Sequence, residues 1–328
     1  MKAFAYERAT DAASAVAAVD GDAMYLGGGT NLVDLLKLGV HSPTRLVDVS
    51  RLSDDRIEEL PDGGLRIGGA VRNSDLAADP VARERYPLLA QALLSGASGQ
   101  LRNMATVAGN LLQRTRCAYF QDVSKPCNKR RPGSGCPARE GDHRNLAILG
   151  HSEACVATHP SDMAVAMAAL GAAVQVLGHG GTRTIPLPGL HRLPGDEPDR
   201  DTVLEPGDLI TAVELPALAF ARRSTYRKVR DRASFSFAVA SIAAAVALDD
   251  DHTVRECRLA FGGLAHVPWR ATRAEQALRG APASAQSFAA AAHAELEQAR
   301  PLRDNAFKVP LARNLLVGTL SDLCEVAR

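Results

Sequence analysis

The sequence has little excess charge and no long apolar run, and each absence excludes a class of protein. Its 328 residues include 38 Lys and Arg against 37 Asp and Glu, so the formal net charge is only +1. This near-neutral balance gives no reason to expect a nucleic acid partner. No stretch approaches the roughly 18 apolar residues that a membrane helix needs. We therefore expect a globular protein of ordinary composition, with 46% hydrophobic residues.

Signatures of export and of common hydrolases are also missing. Glu7, Arg8 and Asp11 interrupt the N-terminal segment where a signal peptide needs an apolar core, so we expect no export signal on this chain. Neither H-E-x-x-H nor G-x-S-x-G occurs, which argues against a zinc protease or an α/β-hydrolase.

Six cysteines in so long a chain favour metal or redox use over a disulfide scaffold. Two of them, Cys257 and Cys324, stand alone in strand and helix patterns and are expected to be buried apolar residues.

Helical and strand patterns alternate up to about residue 215, and the composition changes after Pro216. The first part has helical patterns at 11–19, 31–40, 74–97 and 161–172, and strand patterns at 23–26, 44–49, 64–71, 172–178 and 181–187. The second part has three antiparallel strand patterns followed by helices, at 224–229, 235–248, 253–264, 271–280, 285–299 and 304–327. These patterns predict an α/β domain followed by an α+β domain.

The stretch MYLGGGTNL, positions 24–32, runs from a strand through three glycines into a helix. Glycine lets the backbone approach a ligand without a Cβ clash, and the helix start offers N–H groups to a phosphate. Thr30 adds a hydroxyl, although a tight turn without a ligand explains the same residues. Leu32 stands where the dinucleotide fingerprint needs its third glycine, and no Gly-Lys-Ser/Thr follows. The loop therefore favours a phosphate site that is neither a standard NAD site nor a Walker A loop.

Two later motifs offer polar groups to a ligand of the same kind. In ATVAGNLL, Thr106 and Asn110 provide side-chain hydrogen bonds and Gly109 permits close backbone approach. In ATHPSDMAVAM, Ser161 and Asp162 stand at the start of a helix. An N-cap and a carboxylate that complements the helix dipole are the ordinary explanation for this second pair.

Four cysteines, Cys117, Cys127, Cys136 and Cys155, lie in or next to a basic loop rich in Pro and Gly. Their spacings are C-x9-C-x8-C-x18-C, without the short pairs typical of zinc and many ferredoxin-type sites. Four thiolates suit either zinc or a [4Fe–4S] cluster, and free cysteines in a flexible loop are the alternative. The surrounding Lys and Arg favour an anionic metal centre or an acidic partner, but they do not identify the metal.

Five motifs in order resemble the FAD-binding (medium) subunit of the molybdenum hydroxylases, the xanthine dehydrogenase and carbon monoxide dehydrogenase family. They are GGGTNLVDLLK, LRIGGAVRNSDLA, ATVAGNLLQ, THPSDMAVAMAALGA and YRKVRDRASFSFAVASIA. The insertion at about 113–156 resembles that of the flavoprotein subunit of periplasmic-type, molybdenum-dependent aldehyde oxidoreductases, whose extra loop holds a [4Fe–4S] cluster. The resemblance implies a two-part FAD-binding domain of the vanillyl-alcohol-oxidase (PCMH) type at 1–218. A C-terminal α+β domain with a three-stranded antiparallel sheet and helices would follow at 219–328.

The resemblance also implies site residues. The FAD pyrophosphate would lie on Gly27 to Leu32, and Lys228 would stand near the isoalloxazine and stabilise its anionic reduced form. An ordinary strand-edge lysine is the alternative for Lys228. The implied cofactor-binding residues are Met24, Tyr25, Leu26, Gly27, Gly28, Gly29, Thr30, Asn31, Leu32, Thr106, Gly109, Asn110, Ser161, Asp162 and Lys228. The implied metal ligands are Cys117, Cys127, Cys136 and Cys155.

The function that this resemblance implies is electron transfer. FAD and a [4Fe–4S] cluster would lie in this chain, and the molybdenum cofactor and [2Fe–2S] clusters in a large and a small partner subunit. No catalytic residue is expected here, because the aldehyde would be oxidised in the partner and electrons would leave to an external acceptor. Co-export with a signal-bearing partner would place the protein in the periplasm, with the cytoplasm as the alternative. A zinc-binding, nucleotide-holding assembly module without redox turnover is the alternative function, and the missing third glycine disfavours an NAD-dependent reductase.

Overall fold

The computed structural model describes residues 1–52 and 55–326 and begins with a small parallel sheet. Its strands, in the order β1-β3-β2, are β1 (Ala5–Arg8), β2 (Met24–Leu26) and β3 (Arg45–Asp48). The helices α1 (Ala12–Ala18) and α2 (Leu32–Leu38) connect these strands. The three glycines therefore lie between β2 and α2, as predicted. The sequence patterns did not predict β1, because all four of its residues are exposed and show no apolar alternation.

A five-stranded antiparallel sheet follows, in the order β4-β5-β8-β6-β7. Its strands are β4 (Ile57–Glu59), β5 (Leu65–Gly68), β6 (Ala173–Gly178), β7 (Gly181–Pro186) and β8 (Leu209–Leu215). The predicted hairpin is confirmed, with β6 and β7 paired in continuous register from Ala173 with Pro186 to Gly178 with Gly181. The β8 strand lies between β5 and β6, so it joins an early and a late segment of the first 218 residues.

Short helices lie between β5 and β8. They are α3 (Asn73–Ala78), α4 (Pro80–Arg85), α5 (Pro87–Ser95), α6 (Gly99–Arg102), α7 (Val107–Leu111), α8 (Ala118–Gln121), α9 (Asp162–Leu170) and α10 (Leu187–Leu190). The single helix predicted at 74–97 is three helices, because Pro80 and Pro87 each begin a new one. Proline lacks an N–H group and clashes inside a helix but fits its first turn.

The C-terminal part is a four-stranded antiparallel sheet covered by helices. Its elements are β9 (Ser224–Val229), β10 (Ala240–Leu248), β11 (Val254–Gly262), β12 (Trp269–Arg270), α11 (Thr272–Leu278), α12 (Ala285–Leu296) and α13 (Lys308–Leu323). The three predicted strands are present, and β12, too short to show a pattern, adds a fourth. The predicted end of the last helix, residue 327, lies outside the described residues. Within residues 1–52 and 55–326, no helix has the length and apolar character that crossing a membrane requires.

The buried helix α9 joins the two parts. It packs against α5 on one side and against β10 and β11 on the other. Ala243 and Ala245 of β10 belong to the core around α9, whereas Ile242 and Ala244 belong to the core beneath α11–α13. Burial on both faces explains why β10 is apolar at nearly every position instead of alternating. The N-terminal end of α9 therefore lies where the first part meets the C-terminal sheet.

Candidate functional site

The glycine loop, residues 27–30, is held against the segment that follows α6. A Cβ on Gly28 would overlap the carbonyl oxygen of Met104 and lie 2.6 Å from its carbonyl carbon. Gly29 has a φ of 75°, in the left-handed region that favours glycine. A Cβ on Gly27 or Gly109 would lie 3.1 or 2.9 Å from Thr106 Oγ1. The absence of side chains here permits close backbone packing around an open space.

Backbone donors of the glycine loop are free. Within the described ranges, the N–H groups of Gly28, Gly29 and Thr30 donate to no acceptor. Asn31 Oδ1 accepts a 2.8 Å hydrogen bond from the backbone N–H of Arg114, while the buried Asn31 Nδ2 has no partner in the described part of the chain. Buried polar groups are normally paired, so Asn31 Nδ2 calls for an acceptor from outside the chain, and the partly buried loop N–H groups can donate to the same ligand. Because α2 has only seven residues, the loop N–H groups matter more than a helix dipole.

Two cavities meet at the glycine loop. The β2 cavity, about 360 Å³, is lined by Met24, Tyr25, the glycine loop, Asn31, Leu32, Thr106 and part of β8. The α9 cavity, about 410 Å³, is lined among others by Asn73, Arg102, Asn110, Arg116, Asp162, Lys228 and Phe237. Both cavities are lined by Thr30, Asn31 and Gly109. Each volume is typical of a small-molecule site, and together they suit an elongated ligand with its middle on the loop.

A buried ion pair forms one wall of the α9 cavity. Lys228 Nζ lies 2.8 Å from Asp162 Oδ2, donates also to the carbonyl of Ser95 at 3.1 Å, and its side chain is 3% exposed. Tyr226 OH donates to Asp162 Oδ1 at 2.5 Å. Burial raises the pKa of the Asp162 carboxyl, and the adjacent Lys228 ammonium and Tyr226 hydroxyl oppose that rise. Lys228 lies on an edge strand, but its side chain is buried and its charge is compensated.

The other predicted polar residues form a hydrogen-bonded network. Ser161 Oγ accepts from Ala164 N at 2.9 Å and donates to Asn110 Oδ1 at 2.6 Å, which confirms Ser161 as the N-cap of α9. Thr106 Oγ1 accepts from Gly109 N at 3.2 Å and caps α7. Asn110 Nδ2 donates no hydrogen bond within the described residues. The network therefore fixes Asn110 through its oxygen and leaves its amide nitrogen for a ligand.

The predicted cofactor residues do not all reach the cavities. Leu26 lines neither cavity, because its side chain packs under Gly29, about 3.5 Å from the position of a Cβ there. Ser161 also lines neither and acts through Asn110. The sequence patterns missed Asn73, which lines the α9 cavity and whose buried Oδ1 has no partner among the described residues. A polar side chain at the first position of a helix, just after a glycine-rich strand, is the signal that identifies it.

Cys117, Cys127, Cys136 and Cys155 come together around one small cavity, the cysteine cavity. Its other lining residues are mostly apolar, and Lys129 also contributes. Burial raises the pKa of the Cys155 thiol to about 12 and raises those of Cys117 and Cys136. Such thiols stay protonated unless a bound cation displaces the proton. Within the described residues, no three His, Cys, Asp or Glu side chains are arranged to hold a single metal ion.

Cations of the cysteine-bearing loop are largely engaged inside the protein. Arg130 Nη1 donates to the carbonyls of Tyr119 and Phe120 at 2.6 and 2.5 Å. Lys129, whose side chain is 1% exposed, pairs with Asp201. The positive charge expected from the sequence therefore stabilises the loop itself to a large extent. Cys257 and Cys324, in contrast, are buried elsewhere, as predicted.

The geometry suits a class of protein that binds an elongated, anionic ligand across two adjoining cavities, beside a loop with four cysteines. Comparisons with known sequences identify the family. Residues 2–218 match the FAD binding domain in molybdopterin dehydrogenase, and residues 224–323 match the CO dehydrogenase flavoprotein C-terminal domain. The chain belongs to the family of FAD-binding subunits of molybdenum hydroxylases, an oxidoreductase subunit of the aldehyde oxidoreductase and xanthine dehydrogenase type. The predicted family and fold class are confirmed.

Individual relatives cover nearly the whole chain. The aldehyde oxidoreductase FAD-binding subunit PaoB of Escherichia coli (strain K12) is 51% identical over 327 residues, 98% of each chain. The glyceraldehyde dehydrogenase medium chain of Sulfolobus acidocaldarius is 26% identical over 275 residues, 83% of this chain and 80% of that one. Among solved structures, a carbon monoxide dehydrogenase chain from Hydrogenophaga pseudoflava matches with a TM-score of 0.76 and 24% identity, over 98% of this chain and 96% of that one. That structural likeness shows the shared fold.

Proposed function

We propose that this chain is the FAD- and [4Fe–4S]-containing electron-transfer subunit of a heterotrimeric, molybdenum-dependent aldehyde oxidoreductase. The observation that carries the proposal is the glycine loop, whose N–H groups are free at the junction of two cavities. The aldehyde oxidoreductase subunit of E. coli, 51% identical over 98% of its length, supports the choice of substrate class. FAD, when bound, accepts electrons singly and passes on one or two.

The residues present fit an extended FAD. The pyrophosphate would accept hydrogen bonds from the glycine loop, with Asn31 Nδ2 as a further donor. The adenosine would occupy the β2 cavity and the isoalloxazine the α9 cavity, whose wall contains Asp162 and Lys228. Asn73 and Asn110 would hydrogen-bond the polar groups in between. The division into domains at 1–218 and 219–328 belongs to this proposal, since the α9 cavity lies where the two parts meet.

The cysteine cavity would hold the [4Fe–4S] cluster. Four thiols from separate segments line one mostly apolar space, which is the donor set that such a cluster needs. Leu35 of α2 lines the β2 cavity and shares a buried cluster with Cys117 and Cys155, so the two regions adjoin. This proximity supports electron exchange between the two centres within one subunit.

The remaining parts of the enzyme would lie in partner chains. A large subunit would oxidise the aldehyde at its molybdenum cofactor, and a small subunit would carry electrons through [2Fe–2S] clusters to this chain. Electrons would leave the FAD to an external acceptor. Export of the folded complex with a signal-bearing partner would give a periplasmic location, with the cytoplasm as the alternative. A zinc-binding assembly module that holds a nucleotide without redox turnover is the competing function.

The test is anaerobic reduction of the purified complex by an aromatic or aliphatic aldehyde. We expect resolved flavin bands and a broad iron–sulfur absorbance, both bleached by the aldehyde. The isolated chain should keep its flavin oxidised under aldehyde yet be reduced by dithionite, because the aldehyde site lies elsewhere. A colourless protein that contains zinc would support the assembly module instead. Aldehyde reduction of the isolated chain would also contradict the proposal.

A further inference from the structure

A guanidinium that forms no ion pair within the described residues lies in the wall of the α9 cavity. Arg116 lines that cavity and also a side cavity of about 230 Å³ bounded by Cys117, Asp162 and Phe237. Within the described residues, Arg116 forms no ion pair, and its buried Nε has no hydrogen-bond acceptor. Its Cζ lies 5.0 Å from the centroid of the Phe237 ring. A partly buried cation without an anion has lost hydration that a bound anion would replace.

The other cations of the α9 cavity are committed to partners or solvent. Its charged lining residues are four cations and two carboxylates: Arg102, Arg116, Lys228, Arg232, Asp34 and Asp162. Lys228 is neutralised by Asp162 at 2.8 Å. Arg102 donates to a backbone carbonyl at 2.7 Å, and Arg232 is exposed. Asp34 attracts the Arg116 guanidinium but forms no ion pair with it in the described part of the chain. Arg116 is therefore a partly buried cation that can still pair with an anionic ligand in this cavity.

We propose that Arg116 is the cation that stabilises the reduced isoalloxazine, the role that the family resemblance implies for Lys228. The inference rests on the proposed function, in which the isoalloxazine occupies the α9 cavity. Two electrons from the partner subunits and one proton from solvent convert the oxidised ring into an anion, with its charge at the N1–C2 carbonyl edge. A fixed cation near that edge stabilises the anion and raises the flavin potential.

The position of Arg116 argues against two other roles, binding of the pyrophosphate and contact with the cysteine cavity. Gly27 to Gly29 line the β2 cavity, and among the described residues it is Arg114 rather than Arg116 that joins them there. Arg116 is likewise not among the described residues that line the cysteine cavity, although it precedes Cys117. Arg116 shares a side cavity with Asp162 and lies outside the lining of the β2 cavity, to which Gly27 to Gly29 belong.

Sulfite binding to the flavin of the purified complex tests the proposal. Sulfite donates its sulfur lone pair to N5 of oxidised flavin, and the new N–S bond leaves a negative charge on the ring without any oxidant or reductant. We expect Arg116→Met to raise the sulfite dissociation constant at least about tenfold, equivalent to about 1.4 kcal/mol. The same variant should lower the flavin midpoint potential in a dithionite titration with reference dyes. Arg116→Lys keeps the charge and should retain most of the sulfite affinity.

Arg232→Met is the matched control, because it removes an exposed guanidinium from the same cavity, where solvent screens the charge. The proposal is overturned if Arg116→Met binds sulfite as tightly as the unmodified complex, or if Arg232→Met weakens sulfite binding equally. It is also overturned if Arg116→Met weakens FAD binding while sulfite affinity is unchanged, since Arg116 would then serve the pyrophosphate. If Arg116→Met retains no flavin, Arg116→Gln and Arg116→Lys provide the same comparison. An unmodified complex without flavin would instead refute the proposed function.

Discussion

At Gly28 the requirement for glycine is steric, and it predicts a specific loss of cofactor. Gly28→Ala places a Cβ against the backbone carbonyl of Met104, which cannot rotate away as a side chain would. We expect the loop to shift, with a cost of about 1–3 kcal/mol in stability, and most of the bound flavin to be lost. Flavin absorbance after desalting measures this loss. Gly99→Ala is the control, because a Cβ there meets nothing within 4 Å; equal loss of flavin in both variants would contradict the steric argument.

The ion pair between Lys228 and Asp162 predicts a strong coupling between the two residues. Lys228→Met leaves a buried carboxylate without its ammonium, and we expect a cost of about 3–5 kcal/mol in unfolding free energy. The double variant Lys228→Met with Asp162→Asn contains no buried charge at this place, so it should be more stable than Lys228→Met alone. Urea unfolding of the unmodified protein, of Lys228→Met, of Asp162→Asn and of the double variant gives the coupling energy. Additive effects would show that the pair is not an energetic unit.

Residue types of the candidate site were predictable where the chemistry is local. Turn and capping patterns that span only a few positions predicted the three glycines, Thr106 and Ser161. The partners of Lys228 and Arg116 were not predictable, because Asp162 and Phe237 reach them through tertiary packing. The family resemblance implied a role for Lys228, and the structure shows that Asp162 already compensates its charge.

Among elements, predictability follows the amount of local pattern. The β6–β7 hairpin was predicted, and buried and partly buried residues alternate along β6. Strand β1 is exposed and β12 has only two residues, so neither shows the apolar alternation from which a strand could be predicted. In the segment 74–97, the apolar periodicity continues through Pro80, but one helix ends before this proline and another begins at it. The missing N–H of proline decided where each helix begins.

The cysteine-bearing loop predicts a sharp difference between two identical substitutions. Cys127→Ser removes a thiol that lines the cysteine cavity, so iron and acid-labile sulfide should fall to background. Cys257→Ser alters a thiol buried in β11, outside that cavity, and should leave both unchanged. Colorimetric iron and sulfide analysis of the purified complex measures the outcome.

The fate of the Cys127→Ser protein also distinguishes two roles of the proposed cluster. Folded protein with impaired aldehyde turnover would support electron storage next to FAD, whereas insoluble protein would support a structural role. Equal iron content in the Cys127→Ser and unmodified complexes would contradict the assignment of Cys127 as a ligand.

In the molecule as a whole, Asp201 joins three distant segments. Its carboxylate pairs with Arg114, which lines the β2 cavity, and with Lys129 of the cysteine-bearing loop. His266 Nε2, from the C-terminal part, lies 3.8 Å from Asp201 Oδ1. No local pattern predicts such a meeting, because each partner lies more than sixty positions away along the chain. The order of the motifs along the sequence was enough to identify the family. The contacts of Asp201 with the three segments become visible only in the folded structure.

The charge network at Asp201 predicts how stability depends on pH. Burial raises the pKa of Asp201, but Arg114, Lys129 and His266 outweigh it and lower the pKa from 3.8 to about 2. Because the folded pKa lies below the unfolded value, the carboxylate contributes stability above about pH 4 and loses it as pH falls toward 2. The shift corresponds to about 2 kcal/mol.

Urea unfolding followed by the fluorescence of Trp269, the single tryptophan, measures the effect. The stability difference between the unmodified protein and Asp201→Asn should shrink from pH 4 to pH 2, whereas Asp196→Asn, an exposed carboxylate of the same segment, should differ little throughout. A difference that stays constant over this range would mean that Asp201 does not stabilise the fold through its charge.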